Sequence, residues 1–343
     1  MKKMATYDKL IDASGQPHYG RFDAPVQQVN HADFHYLNTM DRPAGQLAKH
    51  FHYKQFQFVG ITSPRYTLGC AIVSLKYVSN AFVYLFDRLT GERREKSLLQ
   101  PLSLGCSMVN TPDAGMHRFS KGDIEFNFYA VSEPRQRQVE IFGDADIHID
   151  LQISEPAGFQ PLAICTRTGF TGWTYTQKAT ALDASGHIRW GNLQIPVDNE
   201  FLGSYDWSCG YLRRQTAWNW ASLSGLLADG RRVGANLANG VNETGFTENV
   251  VWIDGQLHPL GPVIFEFDRN DRRKPWRVRT ADGRLNLAFT PAGERREKLD
   301  LVFLASNFTQ LTGCFTGTFV TDGGQRIQLE TTPGFCEDHY AKW

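Results

Sequence analysis

Apolar and polar residues alternate with a period of two along much of the chain. Ile124, Phe126, Phe128 and Ala130 alternate with Asp123, Glu125, Asn127 and Tyr129. Ile147, Ile149, Leu151 and Ile153 alternate with Asp146, His148, Asp150 and Gln152, and Thr216, Trp218 and Trp220 alternate with Ala217, Asn219 and Ala221. Successive side chains of a strand point to opposite faces, so this period predicts half-buried β-strands. Asp-Gly pairs at 229–230, 254–255, 282–283 and 322–323 stand between strand-like runs. Asp-Gly tolerates the positive φ of tight hairpin turns. Thr90-Gly91, Glu133-Pro134 and Ser185-Gly186 read as further turns. One short helix is predicted around Pro43–His50, with Pro43 in its first turn. The pattern is that of an all-β chain of antiparallel meanders, closed as barrels or folded as a sandwich.

Length sharpens this picture, since 343 residues suit two domains better than one. Gly191–Leu202 carries Pro196 and few strand formers, which places a boundary near residue 195 and predicts domains 1–195 and 196–343. With 36 basic and 36 acidic side chains the chain is neutral, so neither nucleic acid nor an anionic membrane surface is an expected partner. No apolar run is long enough for a transmembrane segment. The aromatic share of 13% is high and calls for a large core or an apolar cavity to line. All the tryptophans fall in the second half of the chain.

Several chemistries lack their signatures. No G-x-G-x-x-G follows a strand, no P-loop occurs, and neither G-x-S-x-G nor H-E-x-x-H is present, so no cofactor is predicted. The six cysteines are isolated and no apolar stretch follows Met1-Lys2-Lys3, which predicts a cytoplasmic protein with reduced thiols. His50-Phe51-His52 would share one strand face and His31 and His35 one helical face, but no third donor lies at metal spacing, and no metal site is predicted. Asp146, His148 and Asp150 form an oxygen-rich strand face, either solvated or suited to a cation or polar cavity.

Candidate chemistry concentrates in Tyr205-Asp206-Trp207-Ser-Cys-Gly-Tyr211, followed by Trp218-Asn-Trp220, Asn236, Glu248-Asn249-Val-Val-Trp252, and the closing Gly334-Phe-Cys-Glu337-Asp-His339. An acidic residue, a W-x-W strand, a D-G hairpin and E-N-x-x-W together resemble an uncharacterised bacterial family, a domain of unknown function related to the AttH-like proteins. The resemblance runs from about residue 65 and is strongest over Asp206–Trp252 and Gly334–Trp343. It implies two lipocalin-like, calycin-type β-barrels in tandem. Carotenoid 1,2-hydratases belong to the same wider group, as do some plant and fungal cyclases. Similarity to the hydratases is confined to Asp206 before its Trp-containing strand.

An aromatic-lined barrel cavity suits a lipophilic guest such as a terpenoid or polyene, and ring faces also stabilise carbocations. Protonating an isolated double bond needs a carboxylic acid kept neutral by burial. Asp206 is the first candidate for that acid, then Glu248 and Glu337, with Trp207, Tyr211, Trp218, Trp220, Asn236, Asn249 and Trp252 as candidate ligand contacts. Asp206 could instead cap a turn or pair with Arg213 or Arg214, and the tryptophans could be core. Three functions remain open: a carrier of an apolar small molecule, a hydratase, isomerase or cyclase acting on one, and a glycan-binding protein. A carrier and an enzyme both need an enclosed apolar cavity. The enzyme alone needs a buried carboxyl group inside it, and a glycan reader needs aromatics on an open face.

Overall fold

The computed structural model describes residues 6–143, 146–241, 245–301 and 304–343. Among them, one antiparallel sheet has 14 strands and a second has 9. The central order of the first sheet is Val78–Asp87, Tyr66–Ser74, Tyr53–Thr62, Leu202–Tyr211, Gly172–Trp190, Ile147–Ser154, Arg135–Gly143, Ile124–Ser132 and Gly115–Lys121. In the second, Arg232–Asn239, Gln215–Leu226, Arg326–Lys342, Ala305–Val320 and Leu285–Asp300 lie side by side. Each sheet curls. Val59, Cys70 and Val83 share a core with Phe126, Val139 and Ile149, which stand far along the strand order. Leu223 and Val233 likewise meet Val278, Leu287 and Phe289. Side chains from unpaired strands converge in this way only when a sheet bends round on itself. The fold is all-β, two curled sheets in the tandem lipocalin-like arrangement expected from the sequence.

The alternating positions behave as their period requires. Ile124, Phe126, Phe128 and Ala130 are buried, as are Ile147, Ile149, Leu151 and Ile153. All four Asp-Gly pairs lie at turns between strands. At the second, Asp254 and Gly255 both adopt left-handed φ, 47° and 77°, whereas at the fourth the left-handed residue is Gly324 rather than Gly323.

Four expectations change. Ser185-Gly186 is no turn: both residues lie within the long strand Gly172–Trp190, opposite Gln152 and Leu151. The helix runs over Gln46–His52, so His50 and His52 sit on it and not on a strand face. Leu193–Val197 is a strand paired only with Gly186–Trp190, and at such an edge Pro196, lacking an N–H, is tolerated. The chain then adds Leu202–Tyr211 to the centre of the first sheet and crosses to the second sheet only at residues 212–214. The His148 face is exposed, with His148 Nδ1 2.8 Å from His187 Nε2, and among the described residues no cluster of His, Cys, Asp or Glu is arranged for a metal.

The first barrel is filled by its own chain. Leu10, Phe22, Val26, Val29 and Phe34 of the N-terminal segment pack on Trp173, Tyr175, Trp207 and Tyr211. Beside them a buried polar network joins Arg137 Nη2 to Asp113 Oδ1 at 2.9 Å, Arg135 Nε to Glu155 Oε2 at 2.9 Å, and the Tyr205 hydroxyl to Glu155 Oε1 at 2.6 Å. Burial pushes the Glu155 carboxyl up to about 7, against the pull of Arg135. Among the described residues no helix is long and apolar enough to cross a membrane, and none of the six cysteines is in a disulfide.

Candidate functional site

An open space lies between the barrels. Side chains at odd positions of Tyr205–Tyr211 face the filled interior, so Asp206 and Ser208 face outward, toward the second sheet. In the second sheet Ala221, Leu311 and Cys336 belong to the inner core, and their neighbours Trp220, Gln310 and Glu337 face outward toward the first. Phe58, Ala71, Phe82 and Tyr84 pack there on Trp220, Ala238 and Phe335. The sheets approach closely beside this cluster: Ala181 N donates to Ser224 Oγ at 3.0 Å, and a Cβ at Gly234 would collide with Thr180. What the contact leaves unfilled is a cavity of about 250 Å³, lined from both sheets.

One wall carries a buried ionic triad. Strand register sets Lys178 directly opposite Asp206, and Thr176 opposite Ser208. Lys178 Nζ is 2.9 Å from Asp206 Oδ2 and 2.9 Å from Glu248 Oε2, with all three side chains at most 13% exposed. Asp206 Oδ1 also accepts from Ser208 Oγ at 2.7 Å and Thr176 Oγ1 at 3.2 Å. Glu248 arrives from a loop pinned by side chains. Asn236 Nδ2 donates to the Glu248 carbonyl at 2.9 Å, while Asn249 accepts from Ala238 N at 2.6 Å and donates to Gly261 O at 3.1 Å. The triad has one positive and two negative groups. Burial disfavours the Lys178 charge, but the two carboxylates outweigh it and hold its pKa above the ordinary range. Burial raises the Glu248 pKa, and nearby Asp206 adds to the shift that Lys178 opposes. Asp206 accepts hydrogen bonds from three groups and Glu248 from Lys178 alone, so Glu248 is the less supported carboxyl of the two.

The facing wall carries Glu337. Its Oε1 accepts from Trp218 Nε1 at 2.7 Å and its Oε2 from Gln310 Nε2 at 3.0 Å. Gln310 in turn accepts from the Tyr84 hydroxyl, a phenol that burial keeps protonated by raising its pKa well above normal. Arg295 lies between the rings of Phe82 and Phe308, 4.1 and 5.0 Å from their centroids, and bonds Glu95 and Glu297. The His339 ring packs against Trp218 at a tilt of 56°, with centroids 4.2 Å apart.

The candidates from the sequence separate cleanly by strand face. Asp206, Glu248, Glu337, Trp218 and Trp220 line the cavity. Asp206 pairs with Lys178 rather than with Arg213 or Arg214. Trp207 and Tyr211 lie on the opposite face in the filled barrel, and Trp207 Nε1 donates to His117 Nε2 at 3.1 Å. Trp252 stacks on Phe159 and donates to Gln160 O at 2.7 Å, away from the cavity. Asn236 stands behind the wall, accepting from Trp220 Nε1 at 2.8 Å, and Asn249 braces the loop of its neighbour. Trp220 is 8% exposed, so the W-x-W pair does not form an open platform. Sequence reasoning missed Lys178, Tyr84, Gln310 and Arg295, and gave His339 no role beside Glu337. Lys178 had a signal: it is the one charged side chain between Arg167 and Asp183, in a run of otherwise apolar and neutral residues.

No curated protein matches the chain. Among solved structures it is similar to an AttH-assigned protein of Nitrosomonas europaea, at 16% identity and a TM-score of 0.49, over 84% of this chain and 92% of that one. It is also similar to kievitone hydratase of Nectria haematococca, at 11% identity and a TM-score of 0.47, over 83% and 88%. A third is CghA with Sch210972, at 11% identity and a TM-score of 0.49, over 98% and 97%. The family model described as a domain of unknown function, DUF2804, matches residues 1–343, and the chain belongs to that family.

Proposed function

We propose that the cavity between the barrels binds a small lipophilic molecule and performs acid–base chemistry on it, with Glu248 as proton donor. The observation that carries this is the Lys178–Asp206–Glu248 triad opening on an otherwise largely apolar cavity. A carrier has no use for three buried carboxyl groups, since each costs desolvation free energy that packing alone would not require. Asp206, the sequence's first choice for the acid, takes the proton-accepting role instead: both its oxygens already accept hydrogen bonds, from Lys178, Ser208 and Thr176.

The reaction fits an alkene substrate such as a terpenoid or polyene. Glu248 gives its proton to one carbon of the double bond, and the neighbouring carbon becomes cationic. Trp218, Trp220 and Phe56 line the cavity, and an aromatic face turned to such a cation is worth about 0.5–2 kcal/mol. Water then adds to the cation and loses its proton to Asp206, which is hydration; loss of an adjacent proton instead is isomerisation. Proton donation of this kind contributes about 10²–10⁴-fold to a rate.

The test begins with native mass spectrometry of protein purified gently from cells, then solvent extraction to identify a bound species. With that molecule or a close analogue, Glu248→Gln should remove turnover and leave affinity within a few-fold. Equal loss of both would end the catalytic reading and leave a carrier. A protein that binds sugars on arrays and no apolar molecule would overturn the reading altogether.

A further inference from the structure

Three cationic side chains line the cavity, and two are matched. Lys178 lies against Asp206 and Glu248, and Arg295 against Glu95 and Glu297. The third, Lys54, is 5% exposed and lies against no carboxylate among the described residues. Its Nζ donates to the backbone carbonyls of Phe51 at 2.6 Å and Leu75 at 2.9 Å, and sits 4.3 Å from the Tyr77 ring centroid. An ammonium has three donors, so two carbonyls leave one unassigned. Burial, with Lys76 and Arg214 nearby, draws its pKa down to about 7. An anion at that donor would restore the charge.

Register fixes where Lys54 stands relative to the triad. Phe58 is opposite Asp206, Phe56 opposite Ser208, and Lys54 opposite Gly210. Lys54, Phe56 and Phe58 share the cavity face. Four residues of strand separate Lys54 from the triad, roughly 13 Å at about 3.3 Å per residue. Phe56, Val73 and Trp218 line the stretch between. The cavity therefore has an unmatched cation at one end, apolar walls, and an acid at the other.

We infer that the ligand is a lipophilic carboxylate whose head group is held by Lys54, with its chain reaching along Phe56 to the Lys178–Asp206–Glu248 triad. This rests on the reading above that the cavity is a ligand site. Of Lys54, Lys76 and Arg214 only Lys54 lines the cavity, which favours a carboxylate, with its single negative charge, over a phosphate or diphosphate.

The experiment titrates the full chain with dodecanoic acid, methyl dodecanoate and dodecyl phosphate, each below its critical micelle concentration, by tryptophan fluorescence and calorimetry. The wild type should bind the acid roughly tenfold or more tighter than the ester, and tighter than the phosphate. Lys54→Met should erase the preference by weakening the acid about tenfold while leaving the ester within about twofold; Lys54→Arg should retain it. Equal binding of acid and ester, tighter binding of the phosphate, or parallel loss of acid and ester in Lys54→Met would overturn the inference while leaving the cavity a ligand site. Should Lys54→Met fail to fold, the wild-type comparison and Lys54→Arg decide. Binding of none of the three probes would remove the ligand-site reading and this inference together.

Discussion

The strand Leu202–Tyr211 has two faces that do opposite work. Tyr205, Trp207, Cys209 and Tyr211 point into a barrel packed with the chain's own N-terminal segment, while Asp206 and Ser208 point out at an unfilled cavity. A lipocalin-like barrel is usually read as a cup for a ligand. Here the cup is full, and the vacant space lies where two barrels meet outer face to outer face. The difference teaches that an aromatic-rich segment can serve a core and a site at once, one residue out of two for each.

The largest expected effect is on the site face. Lys178→Met leaves Asp206 and Glu248 buried without their cation and should cost about 3–5 kcal/mol in urea unfolding. Adding Glu248→Gln should recover part of it; a single-variant loss under about 1 kcal/mol would show that the triad is solvated. On the core face, Trp207→Phe deprives buried His117 of its donor and should cost about 2–3 kcal/mol, with the ligand-induced fluorescence change intact. A lost ligand response there would erase the distinction between the faces.

The filled barrel should also have its own pH signature. The folded Glu155 pKa, about 7, lies above the ordinary 4.5, so between those values the native state holds the extra proton. Its contribution is therefore fully present below about 4.5 and is lost as pH rises through about 7, a fall of roughly 3 kcal/mol that Glu155→Gln should flatten. An unchanged slope in that variant would place the titration elsewhere. The smallest stability effect belongs to Trp218→Phe, about 1 kcal/mol for its hydrogen bond to Glu337. That variant should nevertheless lose most of the fluorescence response to dodecanoic acid; a full response would remove Trp218 from the cavity.

Strand periodicity and Asp-Gly turns made most of the fold legible, because they are local properties of a half-buried strand. Ser185-Gly186 misled since a glycine inside a strand carries the same letters as one in a turn, and only the partner strand Ile147–Ser154 distinguishes them. In the site, Asp206, Glu248, Glu337 and the W-x-W pair were legible as a cluster of unusual residues. Their grouping with Trp207, Tyr211 and Trp252 failed on parity: neighbours in sequence stand on opposite faces. Lys178, Gln310 and Tyr84 come together only through cross-strand register and the contact between sheets, which no spacing along one strand encodes.

A seat whose walls belong to two separate barrels makes its occupant a fastener. Phe58 and Asp206 reach it from one sheet, Trp218 and Glu337 from the other, and the chain between those sheets is only residues 212–214. Whatever free energy a guest gains by touching both sides must be given up before the sheets can separate, so tightness of binding and resistance to splitting are one quantity measured in two ways. The loaded protein should then withstand proteolysis at 212–214 and unfold as a single body, and the empty one should come apart there first.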